Sequence, residues 1–141
     1  MNEKKHKHMD YAQSIISRMA SNSFLIKGWT ITLVSAIIAL SSKEASGMYI
    51  YASLIPVLIF WVLDGYFLFQ ERLYRSLYNE VRQKKEDDSI DYDLNATGFE
   101  GGNKTWGNSI FSKTLIIFYA TLIILILAWI VIINNYNCSN P

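Results

Sequence analysis

One cysteine, two prolines and seven glycines give this 141-residue chain little material for disulfides, kinks or tight turns. The single thiol, Cys138, excludes an internal disulfide and a cysteine-built zinc site. Both histidines, His6 and His8, fall in one lysine-rich stretch, where their spacing suits a solvated, lipid-proximal tail and no metal is expected. There is no nucleophile patterned with a base and no glycine loop ahead of a lysine that could cradle phosphate. Neither an enzyme nor a cofactor is expected.

The most uneven shortage is of charge. Three apolar blocks, residues 24–41, 48–70 and 114–133, contain only Lys27 and Asp64 between them. About 20 mainly apolar residues are needed to cross a hydrocarbon core of roughly 30 Å, and each block falls in that range. A soluble bundle is the rival, but a core helix rarely runs this far without charge, and the third block has none. A signal peptide is the rival for the first block, since Ala39 to Gly47 includes small residues. The long polar region ahead of it and the interruption at Lys27 argue against cleavage.

The expected fold is therefore an all-α membrane protein, a single membrane domain over residues 1–141. Its parts are an amphipathic helix at 9–22, spans at 24–41, 48–70 and 114–133, a cytoplasmic helix at 71–85, a loop at 86–113 and an external tail at 134–141. Orientation follows from basic residues, which are retained on the cytoplasmic side. Lys4, Lys5, Lys7, Arg18 and Lys27 precede or open the first span, and Arg72, Arg75, Arg82, Lys84, Lys85, Lys104 and Lys113 lie between the second and third. Only Lys43 lies in the first connection, and none follows Ile133. The reading is a multi-pass inner-membrane protein with its amino terminus inside and its carboxyl terminus outside. Trp29 and Tyr66 would mark the inner interface, and Tyr49, Tyr51, Trp129 and Tyr136 the outer one.

Outside the spans, Ala12, Ile15, Ile16 and Met19 recur at helical spacing. That stripe would lie on the inner leaflet or pack on the helix after span two, whose Leu73, Leu77 and Val81 form a matching one. The acidic run Glu86 to Asp93 lacks the spacing of a calcium loop and reads as solvated. The glycines from Gly98 to Gly107 suggest a compact loop with a short hairpin.

Ionisable groups inside a membrane are costly and need a partner or a wet cavity. Folding spans one and two about their short connection brings Lys27 level with Asp64, as a site for an ion, a proton or a gating switch, or as a structural pair locking the hairpin or a neighbouring subunit. Gly28, Thr32, Ser35, Ala36 and Ala39 put small or hydroxylated side chains on one face of span one, as a helix-packing face or a pore lining. Pro56 is expected to kink span two. Span three, uniformly apolar, is expected to face lipid or to form a dry constriction. Arg72, Arg75, Arg82, Lys84 and Lys85 could offer positive charge to an anionic ligand, or simply be solvated.

Along Asn22-Ser-Phe-Leu-Ile-Lys-Gly-Trp29, Phe60-Trp-Val-Leu-Asp-Gly-Tyr-Phe-Leu-Phe-Gln-Glu-Arg-Leu-Tyr74 and Phe111-Ser-Lys-Thr114, the chain resembles a group of small bacterial three-helix membrane proteins. Some are similar to membrane effectors of nucleotidyltransferase-linked anti-phage cassettes of the Hailong type. The resemblance implies a membrane-disrupting oligomer controlled by a signalling nucleotide, and it carries over no functional residue. Three helices cannot enclose a water path alone, so a channel requires self-association. The expectation is an oligomeric ion channel or membrane-depolarising effector, with the lipid bilayer, further copies of the chain and a cytoplasmic nucleotide, oligonucleotide or protein regulator as partners. The alternative is a non-conducting membrane anchor or assembly subunit that recruits a cytoplasmic partner.

Overall fold

In a computed structural model, residues 3–41, 48–84 and 92–139 are described. They form α1 (Glu3–Ser41), α2 (Met48–Ala52), α3 (Leu54–Gln83), a 3-10 turn (Thr97–Phe99), α4 (Trp106–Ile110) and α5 (Lys113–Ser139), with no strand among the described residues. Three stretches, Glu3–Ser41, Ile50–Gln83 and Lys113–Asn135, are helices long and apolar enough to cross a membrane. Lys43, Lys85 and the acidic stretch 86–91 fall outside the described residues, as do the side chains of Tyr49, Tyr136 and Cys138.

α1 has no break between the amphipathic stretch and the first span. At about 1.5 Å per residue it is far longer than a hydrocarbon core is thick, so its apolar second half alone is enough to cross one. Within the apolar half, hydroxyls turn back onto their own helix. Thr30 Oγ1 donates to the Ile26 carbonyl at 2.7 Å and Thr32 Oγ1 to the Gly28 carbonyl at 2.9 Å. A hydroxyl satisfied in this way can sit in an apolar medium without a further partner.

The second span tightens into a turn just ahead of its proline. α2 ends at Ala52, and at Ser53 both the backbone N–H and the hydroxyl donate to the Ile50 carbonyl, at 3.1 and 2.6 Å. Pro56 then falls in the first turn of α3, where its missing N–H would have been an orphan. Beyond the span α3 runs on to Gln83, and Lys84 turns extended. α5 likewise continues past Ile133 to Ser139, so most of the segment read as a tail is helix.

Two apolar cores result. One lies among the spans and joins Val34, Ile50, Val57, Leu115, Tyr119, Ile126 and Ile130. α5 is thus not given over to lipid: one of its stripes is buried, with Tyr119 wholly inside the chain. The other core lies in the head on the amino-terminal side, where Phe69, Leu73, Leu77, Val81 and Ala96 pack together with Met9 and Phe99 against them. There the amphipathic half of α1 packs on the extension of α3, burying Ala12 and Ile16. Lys5 Nζ completes the contact by donating to the Arg82 and Lys84 carbonyls, at 2.7 Å each, at the end of α3 where helical partners run out.

Candidate functional site

Between the two cores lies a polar cluster to which all three spans contribute. Lys27 and Ser23 sit one turn apart on α1, Asp64 on α3 and Tyr119 on α5. Lys27 Nζ meets Asp64 Oδ2 at 2.5 Å and donates to Ser23 Oγ at 2.7 Å. The Ser23 hydroxyl in turn donates to Asp64 Oδ1. Tyr119 Oη stands 3.2 Å from both Asp64 Oδ2 and the Phe60 carbonyl oxygen, which share its one proton. Asp64 is fully buried, yet both carboxylate oxygens accept hydrogen bonds. A buried charge requires such compensation.

Lys27 is less enclosed. Its side chain keeps 20% of its surface, and its ammonium stands 5.9 Å from the centre of the Phe118 ring. The ring face offers a cation a weak attraction that a hydrocarbon environment does not.

Aromatic packing holds the acceptor side in place. Tyr119 stacks on Trp61 with ring centres 5.7 Å apart and planes 9° apart, and the Trp61 indole N–H donates to the Ile110 carbonyl at 2.9 Å. Ile110 sits directly on Gly65, the residue after Asp64. A Cβ at Gly65 would run into the Ile110 side chain and lie 3.0 Å from its Cα, so only glycine admits α4 this closely. α4 is held further by Arg72 Nη1, which donates to the buried Ser109 hydroxyl at 3.2 Å. Thr105 caps it by accepting from the Asn108 N–H at 3.4 Å.

The small residues of span one are arranged differently. Gly28, Thr32, Ser35, Ala36 and Ala39 are all exposed, on the side of α1 away from Ile26, Thr30 and Val34, which face the rest of the chain. An added Cβ at Gly28 meets nothing within 4 Å. Ser35 borders the groove between α1 and α5; the other four meet no neighbouring helix among the described residues.

The basic residues of α3 have different partners. Arg75 pairs with Glu71 at 2.8 Å, Lys84 approaches Glu80 at 3.9 Å, Arg72 turns to Ser109 and Arg82 is exposed. At about 100° per residue, Arg72, Arg75 and Arg82 fall on one side of the helix and Lys84 on the other. Lys85 lies outside the described residues.

Sequence reasoning missed Ser23, Tyr119, Trp61 and His8. Ser23 carried a usable signal, one helical turn before Lys27 on the same face. Tyr119 carried a weaker one, as one of only two aromatics with a hydrogen-bonding tip in the third apolar block, beside Trp129. His8, read as part of a solvated tail, is 1% exposed, with Nε2 3.0 Å from the Asp93 carbonyl oxygen. No group of histidine, cysteine, aspartate and glutamate among the described residues is arranged to hold a metal ion.

The fold and this cluster define a small helical membrane protein whose three spans meet at one buried ion pair. Compared with protein-family models, curated proteins and solved structures, the chain matches none.

Proposed function

We propose that the protein is a self-associating membrane protein that conducts ions or depolarises the membrane as an oligomer, under control of its amino-terminal-side head. One observation carries the reading: the stripe Gly28, Thr32, Ala36 and Ala39, with Ser35 at its edge, faces away from the chain's own interface. In lipid, small and hydroxylated residues on one face are a surface for close helix contact. Copies meeting there would bring Thr32 and Ser35 towards a shared axis, which a single chain cannot enclose. The head suits a control element, because it is built on the same two long helices that carry Lys27 and Asp64. The orientation with this head in the cytoplasm rests on the basic residues. A role in anti-phage defence, with a nucleotide or oligonucleotide as regulator, rests on the resemblance of Asn22–Trp29, Phe60–Tyr74 and Phe111–Thr114.

A second reading, a non-conducting membrane anchor or assembly subunit, draws on the closed character of the polar cluster. Each carboxylate oxygen of Asp64 is satisfied within the chain, as befits a structural lock. Reconstitution separates the two. The purified oligomer in liposomes should release a trapped ion-sensitive dye faster than protein-free vesicles. Tight vesicles containing a cross-link-verified oligomer, with or without nucleotides added on the head side, would leave the anchor standing.

A further inference from the structure

A belt of exposed aromatic side chains surrounds the level of the buried ion pair. Phe24 and Trp29 lie within one turn of Lys27 on α1, and Tyr66 lies two residues after Asp64 on α3. Trp106 opens α4 and Phe111 follows it; they are 45% and 68% exposed. The first three stand on helices that must meet lipid in any case. Trp106 and Phe111 do not: they belong to a segment whose composition, Gly101, Gly102, Asn103, Lys104 and Thr105, reads as a solvated loop.

That segment is nonetheless pressed onto the second span at the depth of Asp64. Ile110 covers Gly65, the Trp61 indole binds the Ile110 carbonyl, and the Trp106 indole N–H donates to the Val62 carbonyl at 3.4 Å. The rings of Tyr66 and Trp106 meet edge to face at 6.2 Å. α4 is thus held at the edge of the apolar zone with Trp106 laid along the span yet half-exposed, and Phe111, edge to face with Trp61, more exposed still. Lys104 and Lys113, one beyond each end of α4, are both exposed, and no carboxylate occurs from Gly101 to Asn135.

We propose that residues 105–112 form a membrane-seated collar: Trp106 and Phe111 enter the headgroup layer of the leaflet on the amino-terminal side, and Lys104 and Lys113 select anionic headgroups there. Amphipathic aromatics partition to that layer, and basic residues beside it attract anionic lipid. A lipid surface fits better than a protein partner, because the apolar side chains lie level with the lipid-facing belt of α1 and α3 and carry positive charge at both ends. The collar then places the Lys27–Asp64 pair just beneath the headgroups rather than at mid-membrane. The inference does not depend on whether the oligomer conducts.

Two glycines provide the probes. Gly107 shares a helix face with Phe111, Gly98 lies in the 3-10 turn of the head, and an added Cβ meets nothing within 4 Å at either. In a full chain carrying Cys138→Ser, a nitroxide is attached at Gly107→Cys or at Gly98→Cys, and the protein is reconstituted in phosphatidylcholine vesicles with or without phosphatidylglycerol. The label at 107 should be relaxed by dissolved oxygen and shielded from a water-soluble nickel chelate, and the label at 98 should show the reverse. Spin-labelled phosphatidylglycerol should associate with the protein in preference to phosphatidylcholine. Lys104→Gln with Lys113→Gln should weaken that preference by up to about 5-fold per lysine. A label at 107 as open to nickel as that at 98 would show a solvated loop and overturn the collar. Shielding from both reagents would mean that protein covers the segment, and would overturn it equally. Insertion with a lipid preference unchanged by the double substitution would overturn the headgroup selection.

Discussion

The cost of breaking the Lys27–Asp64 pair depends on which member is removed, because the two are not equally enclosed. Lys27→Met leaves Asp64 charged and fully buried, and the loss of one partner of a buried pair costs about 3–5 kcal/mol. Asp64→Asn leaves an ammonium that is already partly exposed and can snorkel to the headgroups on its long stem, so its cost should be about half as large. The double variant should be less destabilised than the sum of the two, which unfolding in mixed micelles under graded SDS would measure; strict additivity would mean that the two charges do not interact. Tyr119→Phe should cost about 1.5–3 kcal/mol in the same assay, since Asp64 keeps two donors but loses one hydrogen bond to a charged oxygen.

Between elements, two glycines with opposite surroundings make opposite predictions. Gly65→Ala drives a methyl group into Ile110 and should displace α4, at the cost of about 1–3 kcal/mol typical of overpacking. The signature would be faster cleavage by protease between residues 100 and 112, with the three spans intact. Gly28→Leu meets open space within the chain and relieves a mid-helix glycine, so the monomer should be at least as stable as wild type, by up to about 1 kcal/mol. If the small-residue stripe is the surface between copies, the same change should abolish the in-membrane cross-linking ladder. An unchanged ladder would move the subunit contact elsewhere. In the head, Ala12 is fully buried against α3, and Ala12→Leu should loosen the paired extensions there while leaving the Lys27–Asp64 cluster closed.

For the molecule as a whole, the distribution of basic residues sets the expected layout. A tag after Pro141 should react with an impermeant reagent on intact spheroplasts, and a tag before Met1 should react only after lysis. The reverse pattern would put the head outside the cell and overturn the proposal that it answers to a cytoplasmic signal. With both tags outside or both inside, one of the three helices could not be crossing.

The three apolar rods were legible in the residues themselves, because chain length and charge exclusion are local properties that lipid imposes segment by segment. The pairing of Lys27 with Asp64 was legible for a related reason: two lone charges on an antiparallel hairpin have few places to go. Which face of each helix turns inward was not. Spacing grouped Gly28, Thr32 and Ser35 on one face but could not say which way that face turns, and in the uniformly apolar third span it carried no signal; only the packed structure showed that Tyr119 turns inward while Gly28 and Thr32 turn away. The seating of α4 on Gly65 was equally hidden, since it depends on a missing side chain meeting a residue 45 positions further along the chain. Local composition decides what can enter a membrane; contacts between distant residues decide what the chain shields and what it leaves facing outward.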